Sequence, residues 1–163
     1  MRRVLTCALF LACMAFCLAD VPFPNRGKNA WVFKTMWAIK KDHLWYRVKD
    51  SVPKRPVPTR NDLAIKTIYL ALDSQSVMDS FRNLVAMSRS TPADAQSKRW
   101  AAQFNASFPK RKAFYRTYLT RVSKLWVFFR PEIRAEGKKM KLDVGALAKR
   151  LQYQQKQLES MRI

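Results

Sequence analysis

The sequence predicts an all-α fold, a single-domain antiparallel bundle of about five helices. Three observations predict it. Apolar residues recur at spacings of three and four, the period of a helix with one buried face. Only three glycines, Gly27, Gly137 and Gly145, occur in 163 residues, and no Asn-Gly or Asp-Gly hairpin signal is present. The eight prolines divide the chain into stretches that can each be helical, since proline inside a helix is costly.

The elements follow in chain order. Residues 1–19 read as a secretory signal, and residues 20–163 as the bundle domain. Arg2 and Arg3 precede the apolar stretch Val4 to Phe16, and Cys17-Leu18-Ala19 places small residues before a cut at Asp20. Cys7, Cys13 and Cys17 all lie in that segment. The remaining chain therefore has no disulfide, no thiol nucleophile and no cysteine metal ligand, and core packing alone must hold it together. A first helix is expected from about Asn29 to Ser51, with Phe33, Met36, Trp37, Leu44 and Val48 as its apolar stripe. Pro53 to Pro58 reads as a stiff basic linker. Thr59 and Asp62 form a capping-box start for a helix reaching Ser90, with a possible kink at Asp73 to Ser76. Thr91-Pro92 suggests the cap of a third helix ending before Phe108-Pro109. A fourth, from about Pro109 to Arg130, carries Tyr115, Tyr118, Leu119, Val122, Leu125, Trp126 and Phe129 on one face. Pro131 ends or kinks it, and Glu136-Gly137-Lys138 is expected to break the short turn that follows. Asp143 caps a last helix carrying Val144, Leu147, Leu151 and Leu158.

Charge narrows the function classes. Cutting after Ala19 leaves 30 basic and 11 acidic groups, a net charge of +19. Self-repulsion at that level costs stability, so a polyanionic partner or an anionic surface is expected. The same segment holds 18 aromatic residues, too many for a disordered basic tail. Between Asp94 and Glu132 lie nine basic groups and no acid. Six of them, Lys110, Arg111, Lys112, Arg116, Arg121 and Lys124, are the candidate contacts for a membrane or other polyanion. An amphipathic helix ordinarily just packs, so the apolar stripe is read as core and only the one-signed polar face asks for a partner. Surplus aromatics sit off the stripes. Trp31, Trp45, Tyr46 and Phe128 are the candidates for membrane insertion or an interface, because amphipathic rings beside Lys and Arg suit headgroup depth.

Catalytic patterns are absent. His43 is the only histidine, in a Lys-Lys-Asp-His context with no Gly-x-Ser-x-Gly elbow, and reads as a surface residue. Glu132 and Glu136 lie one turn apart among cations and read as a solvated surface and not a glycosidase pair. No phosphate-cradling glycine loop exists, and neither a metal nor a cofactor is expected. Asn105-Ala106-Ser107 is a possible glycosylation sequon.

These features together resemble the abalone sperm acrosomal protein family, which comprises lysin and a fusagenic paralogue. The segments Lys110 to Arg130 and Trp31 to Tyr46 look more like the fusagenic branch. The resemblance implies a non-enzymatic gamete protein, secreted and stored in the sperm acrosomal vesicle, that promotes sperm–egg membrane fusion. Its partner would be an anionic lipid membrane or the egg surface. The alternative is lysin-like, non-enzymatic binding and opening of the egg vitelline envelope, with an acidic egg-coat glycoprotein as partner. Nucleic acid is not expected as a partner, since a secretory signal argues against a nuclear role and no nucleic-acid motif is present. A monomer or weak dimer is expected.

Overall fold

The computed structural model describes residue 23 and residues 27–41, 58–90 and 94–163. The secretory segment, His43, Trp45, Tyr46, the 53–57 linker and the Thr91-Pro92 cap lie outside the described residues. The protein is an all-α helical bundle. A 3₁₀ turn, Gly27–Asn29, leads into α1, Ala30–Lys41; then come α2, Arg60–Arg89; α3, Ala95–Phe128; α4, Arg130–Lys139; and α5, Val144–Ser160.

The helix boundaries have local causes. Thr59 caps α2 through a reciprocal box: its hydroxyl accepts from the Asp62 N–H, and the Asp62 carboxylate accepts from the Thr59 N–H at 2.9 Å. α2 continues through Asp73 to Ser76, where Ser74 is buried and its hydroxyl lies 2.6 Å from the Ala71 carbonyl. The N-cap of α3 is Asp94, three residues beyond the expected Thr91, and its carboxylate accepts from the Ser97 N–H at 2.7 Å.

Two expected divisions fail. α3 does not stop at Phe108 but runs unbroken past Pro109 to Phe128, so the expected third and fourth helices are one. Phe81 of α2 packs against Phe104 and Phe108 before the proline and stacks on Tyr115 after it, and that shared packing outweighs the missing N–H. Glu136-Gly137-Lys138 does not break α4 either. Gly137 is there for proximity: a Cβ on it would lie 2.2 Å from Val144 Cγ2 at the start of α5. The break comes later, in a left-handed turn at Lys141 (φ 55°), where the Leu142 N–H reaches the Gly137 carbonyl at 2.9 Å and the Lys141 N–H reaches Lys138 at 3.1 Å.

α2 and α3 run antiparallel. Tyr118 donates to the Leu70 carbonyl at 3.0 Å, and Phe81 stacks on Tyr115 with ring centroids 4.3 Å apart. α5 returns beside both: Gln154 meets Ser74 and Gln75, and Gln155 donates to Ser123. α4 packs near the start of α2, where Arg60 pairs with Glu132 at 2.5 Å. The predicted stripe of Tyr118, Leu119, Val122, Leu125, Trp126 and Phe129 is buried, with Tyr115 half-buried, and Leu147, Leu151 and Leu158 of α5 complete the core.

The face predicted for α1 is displaced. Val32, Met36 and Ile39 are buried and Phe33 is half-buried, whereas Trp37, expected on the stripe, is 64% exposed. Val32, Met36 and Ile39 fall at i, i+4 and i+7 and set the buried face, and Trp37, one residue beyond Met36, projects to its side.

Candidate membrane and polyanion interface

α3 is the scaffold of the candidate interface. Its buried side is fixed by Phe104, Phe108, Tyr118, Leu119, Val122, Leu125 and Trp126, so helical spacing dictates what faces outward. The outward crest is built of small residues, Ala102, Ala106, Pro109, Ala113, Thr117 and Thr120, all exposed. Lys124 continues this crest one turn beyond Thr120, while Lys110 and Arg116 stand beside it, so the cations do not form a solid row along it.

The six predicted cations divide by their surroundings. Lys110 and Lys124 are exposed and have no ion-pair partner among the described residues. Arg111 is exposed, donates to Ser107 Oγ at 2.8 Å, and holds its guanidinium 5.4 Å from the Phe104 ring centroid. Arg121 is half-buried. Lys112 and Arg116 are taken up by the end of α5. Lys112 Nζ donates to the carbonyls of Glu159 at 2.8 Å and Met161 at 3.0 Å. Arg116 grips the Glu159 carboxylate with two parallel hydrogen bonds of 2.7 Å. That grip lowers the Glu159 pKa, while desolvation, then Arg162 and Arg116, lower the pKa of Lys112 against the opposing pull of Glu159. These two cations therefore lock helix to helix, a role that charge and spacing along α3 alone did not reveal.

Of the four predicted aromatics, Trp45 and Tyr46 lie outside the described residues. Trp31 and Phe128 meet edge to face with centroids 5.1 Å apart, and both are half-buried. Phe128 also touches Phe23 and Phe129, and the Arg60 guanidinium lies 5.0 Å from its centroid. The outer sides of Trp31 and Phe128 line an open groove of about 510 Å³ with Val127, Thr120, Ser123, Lys124 and Gln155. Val127 is 72% exposed. Hence the groove joins an apolar floor to one lysine on its rim. Val127 and Phe114 both lie off the apolar stripe of α3, and Phe114 is likewise exposed.

Other candidate chemistry disperses. Glu132 and Glu136 do not lie on a solvated surface as expected: Glu136 is buried and held by Lys139 at 2.7 Å, and Glu132 is half-buried and held by Arg60, so each carboxylate has its own cation. No group of His, Cys, Asp or Glu able to hold a metal ion occurs among the described residues. Asn105 sits mid-helix and half-buried, and its Oδ1 has no hydrogen-bond partner among the described residues. No helix among the described residues is long and apolar enough to cross a membrane. No family model, curated protein or solved structure matches the chain.

Proposed function

We propose that this is a secreted, non-enzymatic, cationic protein that binds anionic membranes at their surface and promotes fusion between them. The observation that carries this reading is the groove beside Lys124, where exposed Val127 and the outer sides of Trp31 and Phe128 adjoin a helix segment without acids. Basic side chains near an anionic leaflet each contribute about 1 kcal/mol of attraction. Aromatic and aliphatic groups can then enter the headgroup region shallowly. A body this cationic can touch two leaflets at once and reduce the charge barrier to their approach. The resemblance to the abalone sperm acrosomal family supports placing this activity at the meeting of gamete membranes.

The test is lipid mixing and contents leakage in protein-free vesicles, anionic against neutral. Mixing is expected only with anionic lipid. The double variant Lys110→Glu/Lys124→Glu, which leaves the Lys112 and Arg116 locks intact, is expected to reduce it at least about tenfold, a loss of about 1.4 kcal/mol or more. Absence of both mixing and leakage in every lipid would overturn the membrane reading and bring forward non-enzymatic binding to an acidic egg-coat glycoprotein.

A further inference from the structure

The C-terminal ends of α2 and α5 come together on the far side of the bundle from α1. Arg89 of α2 donates to the Arg162 carbonyl just beyond α5. Between the two helices runs a groove of about 340 Å³, lined by Arg82, Val85, Ala86, Arg89, Gln157, Ser160 and Met161. Arg82 and Arg89 are seven residues apart, two helical turns on one face, so both guanidiniums border the same groove. Each guanidinium has five N–H donors. The contacts made here, Arg82 to Asp79 and Arg89 to a single carbonyl, leave donors on both. Around the same helix end stand Lys112, Arg116 and Arg162.

Helix C-termini repel anions, each with about half a negative charge. That objection is met locally. Lys112, Arg89 and Arg162 already cover the terminal carbonyls of Glu159, Met161 and Arg162. Five cations face two carboxylates, Asp79 and Glu159, and about one unit of helix-end charge, so the place stays positive.

From this arrangement we propose that the α2–α5 groove is a binding site for the phosphate headgroup of an anionic phospholipid. The inference rests on the membrane reading above and gives it a second contact point. Arg82 and Arg89 supply the forked donors that fit phosphate oxygens. Ser160 and Gln157 add neutral polar groups, and Val85, Ala86 and Met161 give the apolar wall that the glycerol end of a lipid needs. The cations gather at one end of two helices and do not track along the surface, which suits one compact headgroup better than a long polyanionic chain. Two lipid contacts on different parts of one body, this groove and the one beside Lys124, are what bridging two bilayers requires.

Inorganic phosphate titrated into isotope-labelled protein tests the site without a membrane. Saturable amide shifts are expected in residues 82–89 and 157–161. Arg82→Gln/Arg89→Gln is expected to weaken phosphate about tenfold, and the charge-matched Lys110→Gln/Lys124→Gln to leave it within about twofold. Far-UV circular dichroism checks that both variants stay helical. Phosphatidylcholine vesicles carrying phosphatidic acid or phosphatidylserine, matched in surface potential, form the second arm. Tighter binding to phosphatidic acid is expected, and only the Arg82/Arg89 variant should lose that preference. Phosphate shifts scattered over α3, or equal losses in both double variants, would overturn the proposal in favour of diffuse charge attraction. Vesicle binding without any headgroup preference would also overturn it while leaving the membrane reading intact. Phosphate bound in the groove with no vesicle binding would overturn the lipid source, and the membrane reading with it.

Discussion

Ser74 and Gln154 show how much a single buried polar pair can decide. Both are buried, at the point where α5 crosses α2, and Ser74 Oγ lies 2.8 Å from Gln154 Oε1. The Gln154 amide reaches on to Gln75 Oε1 at 3.2 Å. A buried amide stripped of its partner keeps its full desolvation cost. Ser74→Ala is therefore expected to destabilise by about 1–2 kcal/mol, and Gln154→Leu by less, because the serine hydroxyl keeps the Ala71 carbonyl as acceptor. The double variant Ser74→Ala/Gln154→Leu should be less destabilised than the two single changes combined, because it removes both polar groups together. Urea denaturation of the four proteins checks this; strictly additive losses would mean that the pair is not coupled. Neither residue was legible in the sequence. Gln154 sits on the apolar face of α5 between Leu151 and Leu158, but periodicity marks only apolar residues, and polar partners 80 positions apart leave no local signal.

At the scale of the helix, boundaries were legible where they depend on side chains that act within one turn. Thr59 with Asp62, and Asp143 with the Ala146 N–H, cap as their sequence positions imply. They were illegible where distant packing decides. Pro109 lies inside α3 because Phe81 holds Phe104 and Phe108 before it and Tyr115 after it, and Gly137 lies inside α4 because Val144 presses against it. The turn after α4 then uses Lys141 at a left-handed position that glycine occupies more easily. A side chain there costs about 1–2 kcal/mol of strain, partly offset by the greater unfolded freedom of glycine. Lys141→Gly is expected to raise stability by roughly 0.5–1 kcal/mol, read as a higher thermal midpoint. A lower midpoint would mean that the aliphatic stem of Lys141 contributes packing that outweighs the strain. The candidate interface divides in the same way. The charge asymmetry of α3 was plain in the sequence, but the capture of Lys112 and Arg116 by Glu159 depends on a helix that begins more than twenty residues further on.

For the whole molecule, net charge sets two responses to salt that have opposite signs. The full sequence carries +21, and the described ion pairs neutralise few of those groups: Arg60, Arg82, Arg116 and Lys139 are paired with carboxylates. At low ionic strength the remaining cations repel one another over a Debye length of about 30 Å, comparable to the bundle itself. Raising salt from about 0.01 to 0.15 M shortens that length to about 8 Å and relieves the repulsion. The thermal midpoint is therefore expected to rise by a few degrees, on the order of 1 kcal/mol for a domain of this size. The same screening weakens attraction to an anionic bilayer, so vesicle affinity should fall over the same salt range. A cationic protein whose charge exists for a partner must show both trends at once: stability gained and binding lost. If stability falls with salt, the surface ion pairs matter more than the repulsion, and the charge is better arranged for folding than its composition suggests. If binding survives salt while stability rises, apolar insertion at the Trp31–Phe128 groove carries the affinity, and the cations serve mainly to speed the encounter.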